Sequence, residues 1–133
     1  MSLSADPSHA AVDASLSRMI DTVRRMPPGR LRAAPAGPYR TRADAARSLA
    51  GALAIITQGI EEAGSVTSPP WRDLPDVPDL VVGDQLAVLA QDLRLALASG
   101  PPTEVWTPQG RAPLCDVLRD VVANADEVWR LLV

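Results

Sequence analysis

The sequence predicts an all-α protein, an antiparallel four-helix bundle with long proline-rich loops and one short hairpin or strap. Three observations predict it. Apolar residues recur at spacings of three and four in four separate stretches, which is the period of an amphipathic helix. Those stretches, about residues 7–26, 42–63, 79–99 and 113–132, each span roughly 20 residues, or roughly 30 Å of helix, so they match in length. Clusters of proline and glycine separate them.

Composition agrees. A chain of 133 residues is the usual size of one domain, and residues 1–133 are read as one. Apolar residues make up 47% of it, which argues against disorder. There is no Phe, one Tyr and only three Trp, so the core must be built from Leu, Val, Ile and Ala. The net charge of −3 argues against a nucleic-acid partner. All 13 basic residues are Arg, as in proteins from GC-rich genomes. Cys115 stands alone, which excludes an intrachain disulfide and a multi-cysteine zinc site. Met1 to Pro7 lack a basic stretch followed by an apolar run, and no apolar stretch approaches a membrane span. A cytoplasmic protein with no membrane contact is expected.

The first helix opens on Asp6-Pro7, a capping side chain before a proline in the first turn. Val12, Leu16, Met19, Val23 and Met26 form its stripe, and Pro27-Pro28-Gly29 must end it. Residues 27–40 read as loop. Thr41 caps the second helix, with Asp44 in capping-box position. Ala46, Leu49, Leu53, Ile56 and Ile60 follow, and Gly64 is the expected stop. Gly51 and Gly59 lie inside this helix at a cost of about 1 kcal/mol each, to be offset by close approach of a neighbour.

Residues 64–79 read as a second loop, with four prolines and Trp71, and Asp79 is the next cap. Val82, Leu86, Leu89, Leu93 and Ala96 make the third stripe. Val81, Val88 and Leu95 add a second apolar line at seven-residue spacing, so this helix is either deeply buried or meets a second subunit. Gly100-Pro101-Pro102 ends it. Thr103 to Thr107 reads as extended and Pro108-Gln109-Gly110 as a turn. Pro113 opens the last helix, whose stripe is Leu114, Leu118, Val121, Ala125, Val128 and Leu132.

Candidate chemistry is sparse. His9, the sole histidine, has no convergent partners in sequence and reads as a solvated side chain. Cys115 falls on the side of Leu118, Val122 and Trp129 and reads as core filler. No Glu-x-x-His pair occurs, so the carboxylate-bridged dimetal pattern of helical bundles is absent and no metal or cofactor is expected. Asp84 and Asp92, near Gln85 and Gln91, are the closest approach to an acidic pair; the competing reading is a solvated helix face. Charge is uneven. Residues 24–47 hold seven Arg against Asp44, a local +6, while the rest of the chain carries −9. Arg30, Arg32 and Arg40 in that segment are candidates for holding an anion, or they pair with the acidic 61–92 stretch. Trp71 and Trp106 lie off the helical stripes, where a tryptophan either caps a core or lines a pocket or interface.

The stretch Val82-Gly83-Asp84-Gln85-Leu86-Ala87-Val88, with Gln91-Asp92-Leu93 and the preceding Pro70-Trp71-Arg72, resembles small helical proteins of GC-rich bacteria to which no activity is attached. The resemblance covers about half the chain and implies only a helical bundle. The architecture is also faintly similar to the DinB-like bundle, whose members bind metal through three histidines; with His9 alone, that triad is not present here.

The expected function is therefore association rather than catalysis: a helical bundle forming a homodimer or holding a protein partner. The alternatives are a small-ligand binder or metal-independent enzyme with a pocket near Trp71 and Trp106, and an anion-binding regulator using Arg24 to Arg47.

Overall fold

The computed structural model describes residues 7–133. The chain is mostly helical, with α1 (Pro7–Arg25), α2 (Pro28–Arg32), α3 (Arg42–Glu61), α4 (Val82–Ala98) and α5 (Leu114–Leu132). A two-stranded antiparallel sheet joins β1 (Glu104–Thr107) to β2 (Gly110–Pro113), and a 3₁₀ turn, Asp79–Val81, leads into α4. The four long helices begin and end within three residues of the ranges their periodicity predicts. Asp6, the expected first cap, lies outside the described residues.

The stripes do meet in one core. Leu16, Met19, Leu49, Leu53, Leu86, Leu89, Leu93, Leu118, Val121 and Val128 are all buried. Ala43, Ala45, Ala46 and Ala50 are buried too, and these small side chains let neighbours approach the first half of α3 closely. Among the described residues no helix is long and apolar enough to cross a membrane.

Each long helix packs on two others: α1 on α5 and α4, and α3 on α4 and α5. The expected antiparallel arrangement holds at two of these four seams. Arg24 pairs with Asp84 and Arg94 with Asp13, so α1 and α4 run in opposite directions. Leu131 lies against Gly37 just before α3, and Arg111, just before α5, reaches the Ala63 carbonyl beyond α3, so these two helices also oppose each other. The other seams are parallel. Ser15 bonds to Asp126 and Thr22 to Trp129, so α1 and α5 ascend together. Arg47 of α3 reaches Asp79 before α4, while Thr57 and Glu61 lie by Leu89 and Asp92, so α3 and α4 descend together.

The connection at residues 62–78 is the cause. It does not turn back at the end of α3 but returns along it. Gln58 holds Pro70 and Arg72 near one end, and Arg47 holds Val77 near the other. Pro69, Pro70, Pro75 and Pro78 favour extended backbone, which keeps this strap straight enough to reach the start of α4.

Local signals are corrected in four places. Residues 27–40 are not all loop: Pro27 caps and Pro28 opens the one-turn α2, which drives Leu31 into the core at 2% exposure. Thr41 does cap α3, accepting from the Asp44 N–H at 3.0 Å, but the Asp44 carboxylate turns to Arg47 at 2.8 Å. Asp79 begins the 3₁₀ turn and gives its carboxylate to Arg47, and α4 has no side-chain cap. Gly64 lacks the positive φ of a helix-ending glycine, whereas Gly100 beyond α4 has it, at 73°.

Candidate functional site

The two tryptophans singled out by sequence converge on one glycine. Trp106 lies on β1 rather than in a loop, and the hairpin crosses α3 so closely that a methyl on Gly59 would sit 2.0 Å from the Trp106 carbonyl oxygen. The Trp71 ring lies 3.5 Å from the same point. Gly59 thus offsets its poor helix propensity by close approach, as expected; Gly51 faces open space and does not. The Trp106 indole N–H donates to the Ser65 carbonyl at 3.0 Å, and Arg111 lies over its ring at 4.5 Å while donating to Ala63 and Ser65. Both tryptophans are half-buried.

Beside Trp71 the strap is tied down by Gln58, itself only 4% exposed. Its amide donates to the Pro70 carbonyl and to Glu62, both at 2.8 Å, and its oxygen accepts from the Arg72 N–H at 3.1 Å. A small hollow of about 230 Å³ opens between this part of α3, the strap and α4, with Thr57, Glu61, Arg72, Asp73 and Asp92 on its walls. The Thr57 hydroxyl is buried there without a partner. Asp92 therefore lines a hollow near Trp71. Asp84 does not: it is exposed on the α1 side, held by Arg24 at 3.0 Å, so the expected Asp84–Asp92 pair is split across two sides of α4.

The arginine segment is dispersed. Arg24 and Arg47 are committed to acids, and Arg42 donates to the Arg30 carbonyl. Burial works to lower the Arg47 pKa, but the hydrogen bonds and charges of Asp79 and Asp44 outweigh it and hold the guanidinium above its usual range. Arg32 and Arg40 are exposed and form no ion pair among the described residues. Arg30 is different. Its guanidinium donates to the Leu132 and Val133 carbonyls at 3.0 and 3.1 Å. It thereby lines a cleft of about 700 Å³ that also contains Arg18, Arg25 and Trp129.

Sequence reasoning missed Trp129, which falls on a helical stripe and so looks like core. It also missed that His9 and Cys115 line one cavity of about 420 Å³ with Leu97 and Leu114. Cys115 is exposed, not core filler, because α5 buries Val117, Leu118 and Val121 instead. Among the described residues there is no group of three or more His, Cys, Asp or Glu that could hold a metal ion.

Among the described residues, large exposed apolar side chains gather on the outer side of α4 and the 3₁₀ turn that leads into it. Val81, Val88 and Leu95, the seven-residue line of the sequence, are 40%, 60% and 59% exposed. Leu80 adds to their end at 61%. Comparison with known protein families, curated proteins and solved structures finds no match for this chain.

Proposed function

We propose that this chain is a non-catalytic four-helix bundle that works by holding a partner protein on the outer side of α4. One observation carries the reading: Val81, Val88 and Leu95 stand exposed in a line, on the face opposite the buried Leu86, Leu89 and Leu93. Burying a Val or Leu side chain is worth about 1.5–3 kcal/mol, so such a line is a binding resource.

The same face favours a partner other than a second copy. Asp84 and Asp92 flank Val88, each four residues away, and both are exposed, Asp84 while paired with Arg24. Two copies apposed about Val88 would bring these carboxylates together, and like charges across an interface oppose pairing. A helix with apolar residues at i, i+3 or i+4, and i+7, flanked by Arg or Lys, satisfies both the line and its acidic margins.

The probe is a designed amphipathic peptide of that pattern, with a version whose flanks are Glu. Fluorescence anisotropy is expected to show the basic peptide binding at least about tenfold more tightly, and Leu95→Asp with Val88→Asp to abolish it. Equal binding of both peptides, or retention by the double variant, defeats the reading. Sedimentation in parallel detects the alternative: a dimer dispersed by Val88→Asp would make a second copy the partner.

A second reading, a small-ligand site beside Trp71, draws on the unpartnered Thr57 hydroxyl and the hollow by Asp92. Native mass spectrometry of gently purified protein would reveal a retained ligand.

A further inference from the structure

The cleft around Trp129 is formed by the end of α1, the start of α2 and the end of α5. It is broad and open to solvent, with about 700 Å³ of space. Its chemistry is divided. Met26, Pro27 and Trp129 supply apolar surface, and Arg18, Arg25 and Arg30 supply positive charge.

The three arginines are not equivalent. Arg18 is matched by Asp126 at 2.8 Å and lies over the Trp129 ring at 4.2 Å. Arg30 uses one terminal nitrogen on the carbonyls that end α5, where a cation is favoured by the helix dipole. That contact fixes the guanidinium and leaves its other N–H groups without a protein acceptor among the described residues. Arg25 forms no ion pair among the described residues. Against these two charges the cleft holds Asp21 and the negative carbonyl end of α5, to which Arg30 is already bonded. The indole N–H of Trp129 is already donated to Thr22 at 3.1 Å, so the ring offers the cleft only apolar surface.

We infer that this cleft binds an amphiphilic organic anion, its carboxylate or phosphate head on Arg25 and Arg30 and its apolar body against Met26, Pro27 and Trp129. Planar guanidinium groups suit both head groups, because each presents paired oxygens to paired N–H donors. The apolar wall demands a body, which a bare inorganic ion lacks.

The test is titration of the full chain with decanoate, decyl phosphate, decanol and inorganic phosphate, below micelle concentrations. It is followed by calorimetry and by the NMR signal of the Trp129 indole N–H. Decanoate or decyl phosphate is expected to bind at least about tenfold more tightly than decanol or phosphate, and the comparison of the two chain anions identifies the preferred head. Arg25→Ala, an exposed position that leaves the fold intact, is expected to weaken binding about tenfold, and Arg25→Lys less. Asp21→Asn is expected to tighten it a few-fold by removing the opposing charge. Equal affinity for decanol would reduce the cleft to a greasy patch. Equal affinity for inorganic phosphate would reduce it to a bare anion site. Either result, or binding indifferent to Arg25, overturns the inference, as does no binding at all.

Discussion

Gly51 and Gly59 sit on the same helix and call for opposite substitutions. Nothing lies within 4 Å of a methyl placed on Gly51, whereas one placed on Gly59 strikes the Trp106 backbone. Gly51→Ala is therefore expected to stabilise the fold by about 1 kcal/mol, raising the melting temperature by about 3–5 °C in calorimetry. Gly59→Ala is expected to cost at least about 2 kcal/mol, because the hairpin must move. Thr57→Val belongs to the same scale. Its hydroxyl is buried without a partner, so removing it is expected to add about 1 kcal/mol of stability. A lowered melting temperature would mean that the hydroxyl has a use. The sequence exposes both glycines as anomalies inside a helix. It does not say which is crowded, since that depends on a hairpin 47 residues away at Trp106. The buried hydroxyl is equally invisible, because threonine is ordinary at a helix position on either face.

At the scale of elements, the Trp71 end of the strap depends on one side chain. Gln58 gives the Pro70 carbonyl a donor and the Arg72 N–H an acceptor. Gln58→Leu keeps the buried volume but removes both bonds. It is expected to cost about 1–3 kcal/mol and to speed hydrogen exchange at the Arg72 amide at least about tenfold. Unchanged exchange there would show that the prolines, Arg47 and Gln85 hold the strap without Gln58. The helices themselves were legible because apolar periodicity is a local property of each stretch, as with Leu49, Leu53 and Ile60. The hairpin was legible from Pro108-Gln109-Gly110, where Gly110 takes a φ of 118°. The one-turn α2 was not, since Pro27-Pro28-Gly29 is equally good loop and only the burial of Leu31 decides. The direction of α4 was not legible either. Prolines announce an extended connection, but the pairing of Arg47 with Val77 and Asp79, which sends it backwards, is long-range.

At the scale of the whole molecule, the two candidate surfaces are built from different elements. Val81, Val88 and Leu95 stand among acids on α4, and the Trp129 cleft gathers Arg18, Arg25 and Arg30. The line on α4 was legible, because a helix with two apolar sides cannot hide both. The convergence of Trp71 and Trp106 was legible only as two residues off their stripes. The cleft was not, because Trp129 reads as core and its arginines come from two separate elements. Val88→Asp is expected to leave the melting temperature within about 2 °C, since the side chain already faces solvent, while removing partner binding. A large loss of stability would show that α4 is covered within the fold. The order of packing has one further consequence. Every extensive contact between long helices joins α1 or α3 to α4 or α5; α1 scarcely touches α3, nor α4 α5. A cut within the strap therefore yields two fragments, each unable to shelter its own leucines, that are expected to be unstructured apart and to regain helical circular dichroism only when mixed.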